Sequence, residues 1–285
     1  MINASFDSAI QPTGPLPSDK PVSVGHALMS YARSQLQKAQ DQLARRGTAR
    51  HAGIHEARKC IRRAKAALAI GRREFGASGR RINDELGRIC RGMSLLRDGQ
   101  ALVEALQRLR KGASGSLQDV LQDAESAARL RRDRLLETTL ARDPQLHSRR
   151  QRLLLASEQL RRLDWESVST GDVLAAVRRS ERRLKKAGRR VQKNRADNEL
   201  WHDYRRRLRR LRQQDTLLSA LGIDSGLSDR AFRAQADSLG DAQDDVLLIR
   251  RCGRDSPFRP EHRRLLRAVA RRRLQHTRGE WDPAY

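Results

Sequence analysis

From Val22 to about residue 278, apolar side chains return every three or four positions, the spacing of one buried helix face. Leu28, Ala32, Leu36, Ala39 and Leu43 mark a first helix over 22–46. A second is expected over 48–71 with Thr48 as its N-cap. A third runs through Ile82, Leu86, Ile89, Met93 and Leu96, then continues or kinks near Gly99 towards Leu109. Further helices are expected over 117–141, 145–164, 172–195, 197–221, 228–252 and 258–278. Residues 111–116 read as a loop, 164–172 as a linker between halves, and the Pro-rich stretch 1–21 as a disordered leader. No stretch keeps the two-residue alternation of a strand, so the chain reads as all-α.

The polar side of the second helix is unusual. His55, Arg58, Lys59, Arg62 and Lys65 occupy a band of roughly 120°, opposite Ile54, Ala57, Ile61, Ala64 and Leu68. Like charges along one helix side repel, so such a face asks for an anion. The pattern then returns 147 residues later, where His202, Arg205, Arg206, Arg209 and Arg212 stand in register with the first set and Leu208 with Ile61. Leu36, Ala39 and Leu43 likewise match Leu184, Ala187 and Val191, and residues 93–98 match 239–244, at nearly the same offset. Repetition of three successive segments implies duplicated helical units, 22–164 and 165–285, whose basic faces would share one cleft.

Composition narrows the anion. The 60 Lys and Arg against 34 Asp and Glu leave a formal charge of +26, a field that attracts polyanions. Aromatic residues are only 4% of the chain, too few for the stacking platforms on which single-stranded nucleic acids are held. Cys60, Cys90 and Cys252 form no close pair, there is no long apolar run, and no secretory signal is evident, so a cytoplasmic protein without a membrane partner is expected.

The order H-E-A-R-K from His55, Asn83, S-x-L-R-D from Ser94 to Asp98, H-D-Y-R-R-R-L-R-R from His202 and L-G-D-A-Q-D-D from Leu239 resembles the CHAD family, the conserved histidine α-helical domain, over most of 22–252. That resemblance implies two antiparallel four-helix bundles related by a pseudo-two-fold axis, forming one compact unit around a basic central channel for inorganic polyphosphate. It also implies a place on polyphosphate granules, with granule-associated proteins as further partners. By the same resemblance, His55, Arg58, Lys59, Arg62, Lys65, His202, Arg205, Arg206, Arg209 and Arg212 line the channel. Arg33, Arg63, Arg97, Arg182, Lys185, Arg189 and Arg210 extend the candidate set.

Polyphosphate suits these residues, because it offers a row of charged oxygens and no bases, and arginine's planar fork matches phosphate oxygens. The expected function is therefore non-catalytic polyphosphate binding, with nucleic acid as the alternative, non-specific partner. No G-x-x-x-x-G-K-[ST] loop is present, and the basic faces carry no carboxylates to hold a catalytic ion. His51 and His55, four apart, lack a convincing third ligand, so neither metal nor cofactor is expected. Asp98 and Asp244 are expected to pair with buried cations and orient the halves, while Arg131, Arg132, Arg134 and Arg271 to Arg273 are expected to be solvated.

Overall fold

The computed structural model describes residues 23–226 and 229–281, which excludes the leader expected at 1–21. Ten α-helices follow in order: α1 (Val24–Leu43), α2 (Ala49–Ile70), α3 (Gly76–Gly92), α4 (Ser94–Lys111), α5 (Ser116–Arg142), α6 (His147–Arg161), α7 (Thr170–Lys193), α8 (Asn198–Ala220), α9 (Asp229–Arg251) and α10 (Pro260–Glu280). A short 3-10 turn, Pro144–Leu146, joins α5 to α6, and no strand occurs among the described residues.

Side-chain caps explain three of the helix starts. Ser23 caps α1 by accepting from the His26 amide at 3.2 Å, and Asp197 caps α8 by accepting from the Glu199 amide at 2.7 Å. Ser169 and Asp172 form a reciprocal capping box at the start of α7. Thr48, expected to cap α2, does not: its backbone is already helical and its hydroxyl caps nothing. The kink allowed for near Gly99 is instead a break at Met93, whose side chain is fully buried between α3 and α4. Gly99 lies inside α4, where a Cβ would stand 3.4 Å from Arg132 on α5, so it serves a close helix crossing.

The apolar faces build two main cores. In the larger, Leu28, Leu36, Ile54 and Ile61 from α1 and α2 meet Leu184, Tyr204 and Leu208 from α7 and α8, with α3 and α6 completing the enclosure. The second joins Leu102, Leu106 and Leu121 of α4 and α5 to Leu248, Leu266 and Ala270 of α9 and α10. Each core therefore draws on both sides of residue 165. The segment expected to be a linker is itself packed: Trp165 is buried, donates to the Leu160 carbonyl at 2.8 Å and lies 4.4 Å from the Phe75 ring. Gly25 admits it, since a Cβ there would fall 1.7 Å from the Trp165 carbonyl oxygen.

Burial also encloses one carboxylate with only a long ion pair to balance it. Asp245 on α9 is 2% exposed, with Arg273 of α10 at 3.6 Å. Burial pushes its carboxyl up to about 6, Arg273 and Arg108 pull it back, and Asp241 and Asp244 push it further up. The folded protein then holds this proton more tightly than the unfolded chain, so the stability it contributes is full below about pH 4 and falls as pH rises through 6. Asp245→Asn is expected to flatten the melting temperature between those values and to raise it at neutral pH by about 5 °C, about 2 kcal/mol. Thermal melts across pH test this; an unchanged profile would show that Arg273 fully compensates the charge.

Candidate functional site

The two repeated helices, α2 and α8, pack directly on each other, and their polar faces meet where α4 and α9 also approach. Here Arg58, Arg62, Arg205 and Arg209 converge, joined by Arg97 from α4. Arg58 is tethered: it donates to the Cys90 carbonyl and lies 3.5 Å from Ser94 Oγ, both at the α3–α4 break. At that break the Cys90 carbonyl also accepts from the Met93 amide at 3.2 Å, so Arg58 shares a helix-end acceptor. Arg205 sits against α9 at Gly240, where a Cβ would lie 3.3 Å from its Nη2. Arg62, Arg205 and Arg209 make no hydrogen bond or ion pair with any described residue, and the Nε atoms of Arg58, Arg62 and Arg205 are buried without a partner.

Such crowding is costly. Burial and then Arg58 bring Arg62 down to about 10. Burial and then Arg62, with Arg205, Arg97 and Arg58, bring Arg209 down to about 8. Arg58 and Arg205 are lowered too, burial again leading. Arginine does not give up its proton in proteins, so the cost is expressed as repulsion that an inserted anion relieves.

One flank of the cluster is acidic. Asp244 on α9, 9% exposed, accepts from Arg97 Nη2 at 2.9 Å and Arg108 Nη2 at 3.2 Å, fastening α4 to α9. This is the orienting pair expected of Asp244, whereas Asp98 is more open and reaches Arg97 at 3.4 Å. Farther along α9, Asp237 takes Arg212 at 2.9 Å.

The remaining candidates separate clearly. Lys65 lies beside the cluster and donates to the Asn83 carbonyl at 2.9 Å, with Gly87 making room: a Cβ there would stand 3.1 Å from the ammonium. His55 lies near Arg97 and Glu104; burial and then Lys59 lower it, favouring the neutral ring. His202 contacts Gln243 through Nδ1 at 3.1 Å. Lys59 turns to Glu56 at 2.8 Å, and Arg206 is exposed and held by Asp203 at 2.8 Å. Arg33 faces Glu158 on α6 at 3.7 Å, and Arg63 faces Cys60 and Tyr31 on the α1 side, so neither joins the cluster. Arg182, Lys185 and Arg189 stand exposed on α7, with Lys185 paired to Glu181 at 3.0 Å, while Arg210 lies toward Arg183 and Arg72.

Two expectations need correcting. Arg132 is not solvated: it is 15% exposed, bound to Asp133 and to Gln100 Oε1 at 3.0 Å. Arg273 likewise turns inward to Asp245. His51, considered with His55 as half of a metal pair, contacts Asp133 at 3.0 Å. Arg108 escaped sequence reasoning altogether, because its partner lies 136 residues away and no local pattern announces it.

An all-helical chain with a half-buried arginine cluster between α2 and α8 defines a class of basic helical domains. The profile of the CHAD domain matches residues 27–253, and the chain belongs to that family. The fold is similar to that of PptA from Streptomyces chartreusis, with a TM-score of 0.62 at 17% identity over 91% of this chain and 98% of that one. It is equally similar to the CHAD domain from the plant Ricinus communis, with a TM-score of 0.62 at 16% identity over 96% and 98%. A search of curated proteins gives no match.

Proposed function

We propose that this protein binds inorganic polyphosphate, without turning it over, along the cleft between α2 and α8. The observation that carries this reading is the convergence of Arg58, Arg62, Arg97, Arg205 and Arg209, three of them with no protein partner among the described residues. A half-buried cationic cluster of this kind favours an external anion that pairs with it. A single phosphate chain is thin enough to lie along the shared polar edge of two packed helices, which a nucleic-acid duplex is too wide to follow closely. Family membership supports the same ligand, and attachment to polyphosphate granules follows as the cellular role.

Binding without catalysis is favoured by the nearest carboxylates. Asp244 is occupied by Arg97 and Arg108, so it is not available to hold a magnesium ion against phosphate. Each of the five arginines that engages a phosphate releases condensed counterions. The logarithm of the affinity should therefore fall against the logarithm of salt with a slope of about −4. Calorimetric titration with polyphosphate across a salt series tests this, with duplex DNA as competitor. Displacement of polyphosphate by DNA at equal affinity per charge would support the nucleic-acid alternative instead.

A further inference from the structure

The cationic surface does not stop at the cluster. Lys65 continues it along α2, and beyond Lys65 lies Arg210 of α8. Arg210 retains exposed surface, yet its charged form is disfavoured by desolvation and then by Arg183, with Arg72 also near. Arg183 leads in turn to Arg179 of α7, which faces Arg73 in the turn after α2. These helices are in contact, α7 packing on both α2 and α8.

The two flanks of the cleft therefore differ. Toward α9, carboxylates neutralise the cations: Asp237 takes Arg212 and Asp244 takes Arg97 and Arg108. Toward α7 the neutralisation is weaker. That helix carries nine Lys and Arg against Asp172 and Glu181; Asp172 caps the helix and, with Glu74, adjoins Arg179 without forming an ion pair with it, and Glu181 is committed to Lys185. Arg72, Arg73, Arg179, Arg183 and Arg210 make no ion pair with any described residue. Solvated charge on a helix is ordinary, but here cations from the turn after α2, from α7 and from α8 adjoin one another and Lys65.

We propose that Arg210, Arg72, Arg183, Arg179 and Arg73 form an external track on which a polyphosphate chain leaving the α2–α8 cleft continues across α7, so that the protein grips long chains at two joined segments. The proposal rests on the polyphosphate reading above and deepens it by giving that site a length preference. Tethering makes the second segment's engagement intramolecular, so it adds affinity only for chains able to span both.

The test compares a short oligophosphate with long-chain polyphosphate, at physiological salt where long-range fields are screened. Wild type is titrated beside Arg179→Glu/Arg183→Glu and a charge-matched control on α5, Arg131→Glu/Arg134→Glu. The track variant should bind the short chain within about twofold of the control, and the long chain at least about tenfold more weakly. Long-chain affinity equal to the control's would overturn the track and leave the cleft reading intact. An equal loss for both lengths would also overturn it, since the residues would then act on the cleft itself. Failure of wild type to bind either length would refute the polyphosphate reading, a result separate from the other two.

Discussion

Arg209→Met should make the protein more stable and a poorer binder at the same time. Arg209 is brought down to about 8 by burial and by Arg62, Arg205, Arg97 and Arg58, and no described residue offers it an acceptor. Methionine keeps much of the stem's packing and removes the charge, so the empty protein should gain about 2 kcal/mol. Against polyphosphate, the variant loses a charge-assisted contact worth about 1.5–3 kcal/mol, about tenfold to a hundredfold in Kd. Arg62→Met should show the same opposed signs. A structural arginine would behave otherwise: its removal would lower the melting temperature and leave affinity unchanged. Melting curves and calorimetry on the same preparations decide between the two.

Asp244→Asn should act in the opposite sense. Its carboxylate is nearly buried and is held by Arg97 at 2.9 Å and Arg108 at 3.2 Å, beside Arg205. Removing one charge of a buried set leaves the others uncompensated, so a loss of about 3 kcal/mol is expected, about 8 °C in melting temperature. Saturating polyphosphate should recover much of that loss, because phosphate oxygens can replace the missing carboxylate as acceptors for Arg97 and Arg108. Unchanged stability, or a deficit that persists in full with ligand present, would show that Asp244 does not balance the anion site.

These two residues also show what the sequence could and could not reveal. The α2 and α8 faces were legible because helical periodicity and an offset of 147 put Arg58 and Arg62 in register with Arg205 and Arg209. The helices themselves were legible within a few residues, since Leu and Ala recur at helical spacing throughout. The Met93 break was not: Gly99 carried the local signal, while the actual interruption is stabilised by a distant guanidinium, that of Arg58. Periodicity likewise treats every residue of a basic band alike. It could not say that Lys59 and Arg206 would be taken by Glu56 and Asp203 three residues away, leaving Arg62 and Arg209 to meet across the helix pair. Arg132 and Arg273 looked like surface because their carboxylate and amide partners become neighbours only through packing.

The second core, shared by α4, α5, α9 and α10, has a consequence for biosynthesis. Leu102, Leu106 and Leu121 emerge from the ribosome long before Leu266 and Ala270, which must cover them. At about 10 residues per second, that apolar surface waits about 15 s for its partners. During that interval the nascent chain presents an apolar stripe alongside a strongly basic helix pair, close to the anionic RNA of the ribosome that makes it. Because α4 and α5 are covered by α9 and α10, the second core closes only when the last helix of the fold has been made.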